Sequence, residues 1–311
     1  MKQKVLVARM IFPDVLETLE QYFDVDVNLD DRVLARDELI ARLADKDGAL
    51  TAGDRIDAAV LAAAPRLKVA ANMAVGYNNF DMDAFNRAGV LGTNTPDVLN
   101  ESTADFAWAL LMATARRVTE SERWLRTGVW QKWSYDGFLG VDVHGSTLGI
   151  IGMGRIGQAV ARRALGFGMR VLYHNRSRVA PQLEAQLNAV YRTKDELLAE
   201  ADHVVLVVPY AADSHHLIGA AELEKMKPSA TLVNIARGGV IDDAALADAL
   251  RDKRIAAAGL DVFDGEPRVH PGLLRRDRGN AARDGDAGGG QSDCGARLRP
   301  ARRGSADTDQ S

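Results

Sequence analysis

Residues 147–157 read TLGIIGMGRIG, a short apolar run followed by three glycines. Leu148 to Ile151 predicts a buried strand, and a helix is predicted to follow the glycines. Gly152, Gly154 and Gly157 have the G-x-G-x-x-G spacing. In this motif the first glycine allows a sharp turn, the second allows a close backbone approach to a pyrophosphate, and the third allows tight helix–strand packing. The helix N-terminus adds free N–H groups and a positive dipole end. The stretch predicts a dinucleotide-binding turn, and a plain strand-to-helix turn is the alternative.

A second predicted strand, Arg170 to His174, ends where the adenosine ribose of a dinucleotide is expected. An acidic residue there would bind the 2′-hydroxyl of NAD. The sequence instead continues with Asn175, Arg176, Ser177 and Arg178. A 2′-phosphate needs positive charge without a carboxylate, so this turn favours NADP, with NAD possible. The alternative for the arginines is a solvated loop.

Composition is that of a globular enzyme. The 311 residues are 47% hydrophobic and 26% charged, which allows a sizeable core in one or two domains. The net charge of −4 argues against a nucleic-acid partner. Cys294 is the only cysteine, and no apolar run could span a bilayer. These features predict a cytoplasmic protein without a membrane partner, and we expect no metal site.

Predicted strands and helices alternate through both halves of the chain, which indicates α/β parallel sheets covered on both faces. The predicted strands are Lys4–Ala8, Val25–Val27, Gly48–Thr51, Leu67–Ala71, Val90–Thr93, Leu148–Ile151, Arg170–His174, Val204–Val208, Thr231–Asn234 and Ala256–Leu260. The predicted helices are Pro13–Tyr22, Arg36–Leu43, Ala58–Ala64, Glu101–Thr114 with its continuation to Arg126, Gln158–Gly166, Glu222–Met226 and Asp243–Asp252.

Three loops that leave predicted strands carry groups suited to an oxo acid. Gly76, in Met73–Asn79, can offer its backbone N–H to a small carboxylate, with an ordinary turn as the alternative. Arg237 can hold a 2-oxo acid by two parallel hydrogen bonds and polarise its carbonyl. Glu266 can orient a histidine and raise its pKa. The alternative for Arg237 and Glu266 is a salt bridge between two loops.

Three tryptophans lie in a segment with few strand signals. Trp124, Trp130 and Trp133 follow the long apolar helix Glu101–Thr114. Aromatic residues are enriched at protein interfaces, so this arm predicts packing against another subunit. Packing in the core of the same chain is the alternative.

Five segments in this order resemble the D-isomer-specific 2-hydroxyacid dehydrogenases, and within them the glyoxylate/hydroxypyruvate and 2-ketogluconate reductases. The similarity runs from Lys4 to Leu274. Its segments are Ala74–Asn78, Asn100–Asp105, the glycine motif, Asn234–Gly239 and Gly259–Phe263.

The resemblance implies two doubly wound parallel-sheet domains. Residues 1–98 would form a flavodoxin-like substrate domain and residues 99–274 a Rossmann NAD(P)-binding domain. Residues 275–311 would be a divergent tail in place of the end of the substrate domain, which in the family is built from both chain ends. The family also implies a homodimer formed through residues 101–143.

The resemblance further implies hydride transfer from a nicotinamide to the carbonyl carbon of a small 2-oxo acid, giving the D-2-hydroxy acid. Each matched position then acquires an expected role. Val75 and Gly76 would hold the substrate carboxylate, and Arg237 would hold the carboxylate and the carbonyl oxygen. Gly154, Arg155 and Ile156 would contact the pyrophosphate, and Asn175, Arg176 and Ser177 would surround the 2′-phosphate. Thr103, Pro209 and Ile235 would line the cofactor, and Asp261 would face the nicotinamide carboxamide.

The sequence departs from the family at its proton donor. The family's histidine lies somewhat under twenty residues beyond the glutamate that matches Glu266, near Asp284 here, and no histidine is present there. The last histidine, His270, matches a position on an earlier loop. Turnover should therefore be impaired, since general acid catalysis contributes about 10²–10⁴-fold. A non-catalytic dinucleotide-binding or redox-sensing protein is the alternative.

The tail after Leu274 has only one large aliphatic residue, Leu298, and no aromatic residue. Such a segment cannot bury enough apolar area to offset its ordering entropy, which predicts disorder. We hypothesise that a frameshift near Leu274, with an accompanying deletion, replaced the expected strand, histidine loop and closing helix. A genuine extension is the alternative, and sequencing the gene through this region separates the two.

Overall fold

The fold consists of two parallel β-sheets with helices, in a computed structural model that describes residues 1–135, 137–265 and 269–274. The described residues belong to one compact unit. The predicted disordered tail, residues 275–311, and Glu266 lie outside the described residues. The two-sheet α/β architecture is confirmed, and the domain boundaries at residues 98 and 274 stay predictions.

The first sheet has five strands in the order β2-β1-β3-β4-β5, all paired in parallel. This is the flavodoxin-like order of a doubly wound sheet. The strands are β1 (Gln3–Val7), β2 (Phe23–Val27), β3 (Gly48–Thr51), β4 (Val69–Asn72) and β5 (Leu91–Thr93). The helices are α1 (Pro13–Tyr22), α2 (Arg36–Leu43), α3 (Ala58–Ala63) and α4 (Met82–Ala88).

The second sheet has six parallel strands in the order β11-β10-β9-β6-β7-β8. The order reverses between β6 and β9, which is where ligands bind in a Rossmann sheet. The strands are β6 (Thr147–Ile151), β7 (Arg170–His174), β8 (Ala189–Tyr191), β9 (His203–Leu206), β10 (Thr231–Asn234) and β11 (Ala257–Leu260). The helices are α5 (Asn100–Ala115), α6 (Val118–Arg126), α7 (Arg155–Gly166), α8 (Pro181–Leu187), α9 (Lys194–Glu200), α10 (Ala220–Leu223), α11 (Asp243–Arg251) and α12 (Pro271–Leu274).

Apolar side chains cover both faces of the second sheet. One core cluster joins α5 and α7 to one face, with Trp108 and Tyr173 buried in it. The other joins α9, α10 and α11 to the opposite face, around Leu172 and Leu206. This double burial explains why the strands are near-continuous apolar runs, and it fixes the carboxyl ends of β6, β9 and β10 beside one another.

Several elements were not predicted. These are α4, α8, β8, α9, α12 and a single 3₁₀ turn at Ala212–Ser214. Helix α9 had a readable signal, because Thr193 and Glu196 form a reciprocal capping box. The predicted helix Glu222–Met226 is wrong in its bounds, since α10 begins at Ala220 and ends at Leu223. The predicted continuation from α5 is interrupted at Arg117, whose φ is +54°.

The arm after α5 is largely exposed. Trp130 and Trp133 are 55% and 77% exposed, whereas Trp108 of α5 is buried. The alternative that these two arm tryptophans pack in the core of their own chain is therefore wrong. Within the described ranges, no helix has the length and apolar character needed to cross a bilayer.

Candidate active site

A cavity of about 420 Å³ lies at the carboxyl ends of strands from both sheets. Nine residues predicted for the site line it. They are Val75, Gly76, Gly154, Arg155, Ile156, Gly157, Pro209, Ile235 and Arg237. The tertiary structure thus brings the predicted oxo-acid loop, the glycine turn and the predicted arginine together in one place.

The glycine turn between β6 and α7 has little room for side chains. Gly152 has a φ of +108°, and a Cβ there would lie 2.7 Å from the main-chain carbonyl carbon of Val207. A Cβ at Gly157 would collide with the carbonyl oxygen of Gly152. A Cβ at Gly154 would instead have no described protein atom within 4 Å and would project into open space. The first and third glycines therefore shape the protein, and the second keeps space free.

This turn fits a dinucleotide pyrophosphate. Gly154 is the N-cap residue of the 12-residue helix α7 and lines the cavity together with Ile156 and Gly157. The first N–H groups of a helix lack intrahelical partners, and with the helix dipole they favour an anion. The Arg155 guanidinium lies near, with its Nε 2.9 Å from a carboxylate oxygen of Asp97, which also lines the cavity.

Arg237 lies directly against Gly76. A Cβ at Gly76 would be 3.1 Å from Cζ of Arg237 and would overlap one of its terminal nitrogens. Arg237 Nη1 donates to the carbonyl oxygen of Ala236 at 2.7 Å. The buried Asn234 holds this loop, because its Nδ2 donates to Arg237 O at 3.1 Å and its Oδ1 accepts from Ala236 N. The glycine at position 76 is needed for this approach of loop and guanidinium.

Two side-chain amides, one buried and one half-buried, set the conformation of the loop that carries Gly76. Asn72 at the end of β4 donates to Gly76 O at 2.7 Å, and Asn94 after β5 donates to Val75 O at 2.8 Å. Asn72 is 1% exposed and also bonds to Asn79. The loop is therefore held by side chains from two neighbouring strand ends.

Arg176 and Arg178, at the position predicted for the adenosine of the cofactor, differ in their contacts. Arg178 donates two hydrogen bonds to Glu184, at 2.7 and 2.8 Å, and Tyr173 OH donates to the same carboxylate at 2.6 Å. Arg178 first, and Tyr173 second, lower the pKa of Glu184 to about 2. Arg176 is 84% exposed at its side chain, with Asp213 3.6 Å away. Only Arg176 therefore has its guanidinium free of a close bidentate partner.

Asn175 links this position to the glycine turn. Its Oδ1 accepts a hydrogen bond from Met153 N at 2.7 Å. Asn175 does not line the cavity, and neither do Thr103, Gly152, Arg176, Ser177 and Asp261. Glu266 lies outside the described residues. Their roles stay predictions.

Sequence reasoning missed eight residues that line the cavity. They are Tyr77, Asn78, Asp97, Asn100, Val207, Val208, Tyr210 and Ala236. Four of them directly adjoin a predicted site residue, namely Tyr77, Val208, Tyr210 and Ala236, and that adjacency was a usable signal. Asp97 had no such signal, because it adjoins no predicted site residue and lies between the predicted strand Val90–Thr93 and the predicted helix Glu101–Thr114.

All six histidines fall in the described part of the chain, and none of them lines this cavity. The nearest link is Tyr210, a lining residue whose hydroxyl is 2.9 Å from His215 Nδ1. His270 lies instead in a second cavity with His216, Asp243 and Asp264. The described site thus holds a guanidinium and backbone donors, without an imidazole on its wall.

Comparison with known proteins agrees with the fold. Residues 108–279 match the model of the D-isomer specific 2-hydroxyacid dehydrogenase NAD-binding domain. A glyoxylate reductase of Thermococcus onnurineus is 50% identical over 282 residues, which cover 89% of this chain and 84% of the relative. The chain belongs to the D-isomer specific 2-hydroxyacid dehydrogenase family, a family of oxidoreductases.

Two solved structures are similar over nearly the same range. The crystal structure of a glyoxylate reductase from Paecilomyes thermophila is 34% identical, has a TM-score of 0.79 and covers 89% of this chain and 86% of its own. An NADPH-dependent glyoxylate/hydroxypyruvate reductase from Sinorhizobium meliloti, in complex with NADP and malonate, is 33% identical with a TM-score of 0.77. That alignment covers 89% of this chain and 84% of the relative.

Proposed function

We propose that this protein reduces a small 2-oxo acid, with glyoxylate, hydroxypyruvate and 2-ketogluconate as candidates, to the D-2-hydroxy acid, using NADPH in preference to NADH. The observation that carries this proposal is the placement of Arg237 against Gly76 in the cavity that also holds the N-terminus of α7. One wall binds an anionic oxo acid, and the other binds a pyrophosphate.

The substrate side would work by orientation and charge. A guanidinium can donate two parallel hydrogen bonds to an oxo acid, which fixes its plane and polarises the carbonyl. Val75 and Gly76 would add backbone N–H groups to the carboxylate. Since Arg237 lies against Gly76, both sets of donors can act on one small molecule.

A bound nicotinamide cofactor would supply the hydride. Gly154, Arg155, Ile156 and Gly157 would hold its pyrophosphate, because they surround the helix N-terminus on the cavity wall. Pro209 and Ile235 would line its nicotinamide half. Arg176 would pair with the 2′-phosphate. The preference for NADPH over NADH is supported by the absence of an acidic residue from residues 175–178.

Turnover is proposed to be low for a member of this family. The alkoxide that follows hydride transfer needs a proton, and no histidine of this chain lines the cavity. A missing general acid costs about 10²–10⁴-fold in rate. We also propose a cytoplasmic homodimer, with the exposed arm around Trp130 and Trp133 as part of its interface.

Two measurements on the purified chain test this proposal. The first follows NADPH oxidation by absorbance with glyoxylate, hydroxypyruvate or 2-ketogluconate, and the second measures NADPH and NADH binding by fluorescence. We expect tighter binding of NADPH than of NADH and slow, substrate-dependent oxidation. Absence of affinity for both nucleotides would refute the proposal.

A non-catalytic dinucleotide-binding or redox-sensing role is the second candidate. The observation that favours it is the cavity wall without a histidine. Normal NADPH binding with no oxidation above the rate in an Arg237→Ala variant would support this candidate over the enzyme.

A further inference from the structure

Two consecutive carbonyl groups before Gly76 are held by the segment that leaves β5. Thr95 N donates to Ala74 O at 3.1 Å. Asn94 Nδ2 donates to Val75 O at 2.8 Å. Both carbonyl oxygens therefore point toward residues 94 and 95, and one of these two contacts depends on a side chain.

Peptide geometry fixes what the other side of this loop presents. In a trans peptide the N–H points opposite to the carbonyl of the preceding residue. The N–H groups of Val75 and Gly76 therefore both point away from Asn94 and Thr95. Both residues line the cavity, and within the described residues neither N–H has a hydrogen-bond acceptor. This pair of adjacent free donors is suited to a carboxylate.

We infer that Asn94 is a positioning residue for the substrate carboxylate, acting by holding the Val75–Gly76 peptide in the orientation that offers its N–H to the cavity. The inference rests on the proposed function and deepens it. If this peptide rotated, the Val75 carbonyl oxygen would take the place of a donor and would repel an anion. Asn94 does not line the cavity, so its effect is exerted through the peptide alone.

Asn72 supports the next peptide in the same way. It donates to Gly76 O at 2.7 Å, and it shares a hydrogen bond with Asn79, which in turn donates to Asp54 O at 2.9 Å. Asn72 is fully enclosed, whereas Asn94 is only half-buried. Replacement of Asn94 therefore tests the idea with less risk to folding.

The test is the binding of oxamate, a small carboxylate that cannot accept the hydride, to the NADPH complex by calorimetry. We expect Asn94→Ala to weaken oxamate about 10-fold, near the lower end of what one hydrogen bond to a charged group contributes. Asn94→Asp, which keeps the shape but removes the donor, should weaken it at least as much. NADPH affinity should not change, and in the oxidation assay KM should rise while kcat changes little.

Asn28→Ala is the matched control. Asn28 Nδ2 also donates to main-chain carbonyls, at 2.9 Å to Ala8 and 2.8 Å to Arg32, and it does not line the cavity. We expect this variant to lower the melting temperature and to leave oxamate binding unchanged.

Three results would overturn the inference. If the wild-type NADPH complex binds oxamate and Asn94→Ala binds it equally well, the inference fails and the proposed function stands. If the wild-type complex does not bind oxamate at all, both fail together. A parallel loss of NADPH affinity and oxamate affinity in Asn94→Ala would show a general structural role and would also overturn it.

Discussion

The segments that follow β6 and β4 orient backbone N–H groups toward an anion in different ways. After β6, the donors belong to the start of helix α7, and glycines at positions 152 and 157 are required because any Cβ would meet main-chain atoms. After β4, the donors belong to an irregular loop that precedes α4, and side-chain amides hold its carbonyls. The first device depends on the absence of side chains, and the second depends on particular side chains.

This difference matters for how each region tolerates change. In the glycine turn, a side chain at Gly152 or Gly157 would overlap main-chain atoms, which affects folding and binding together. An amide-held loop fails by loss of orientation, which affects binding before stability. Arg237 connects the two regions, because it leaves β10 of the second sheet and lies against Gly76 of the first.

The largest expected effect is that of replacing Arg237, which connects the two regions. Arg237→Ala should lower kcat/KM for the oxo acid by about 10²–10⁴-fold, the value of two hydrogen bonds to a charged group. NADPH binding should be retained, because the pyrophosphate turn is not altered. Arg192→Lys is the control, since Arg192 pairs with Glu200 away from the cavity. A decrease of less than tenfold for Arg237→Ala would contradict its role.

The glycines provide a matched pair with the next largest effect. Gly152→Ala should destabilise the fold by about 2–4 kcal/mol, from positive φ and overlap with Val207, and should weaken NADPH severely. Gly154→Ala should weaken NADPH but change the free energy of unfolding by less than about 0.5 kcal/mol. Denaturant unfolding and fluorescence titration measure both. Equal destabilisation by the two variants would disprove the assigned division of roles.

The two arginines at the adenosine end give a smaller and selective effect. Arg176→Ala should weaken NADPH about 10-fold and leave NADH unchanged, because it removes one charge from the 2′-phosphate position. Arg178→Ala should mainly lower the melting temperature, since Arg178 is bound to Glu184. An unchanged NADPH-to-NADH affinity ratio in Arg176→Ala would exclude that residue as the phosphate ligand.

The smallest effect is a pH dependence of stability at Glu184. Its pKa is lowered from 4.5 to about 2 in the folded protein, so its stabilisation is complete above pH 4.5 and is lost as the pH falls toward 2. Glu184→Gln should therefore have a lower melting temperature than the wild type at pH 7 and a smaller difference at pH 3. Glu17→Gln, on α1, is the control. A difference that does not vary with pH would refute the ion-pair explanation.

Much of the fold could be predicted because burial on both sheet faces leaves apolar runs in the sequence. The strands Gly48–Thr51, Arg170–His174 and Thr231–Asn234 were predicted with their observed bounds. Short elements such as β8 and α4 were missed, because β8 has only three residues and α4 buries only Ala84 and Phe85, so neither carries a long apolar pattern. The bounds of α10 were wrong for a related reason, since Gly219 and Glu222 cap it at a position that hydrophobic periodicity does not reveal.

The site, like the fold, was predictable where local sequence patterns define it and not where distant segments meet. The motifs identified nine residues that line the cavity, because glycine spacing and strand ends encode backbone geometry locally. They did not reveal that Arg178 is bound to Glu184, that Asp97 meets Arg155, or that Asn94 holds Val75. The Asp97–Arg155 and Asn94–Val75 contacts join residues whose proximity arises only when chain segments pack, whereas the Arg178–Glu184 contact joins a turn to the helix that follows it.

By itself, the sequence determined the two parallel sheets, the dinucleotide turn and the membership of a dehydrogenase family, because local backbone requirements and apolar patterning are written in consecutive residues. Only the tertiary structure placed Arg237 against Gly76, gave the neighbouring peptide its orientation and kept all six histidines off the cavity wall. Distances between residues far apart in the chain depend on how the sheets pack, and that packing decides which donors meet the substrate.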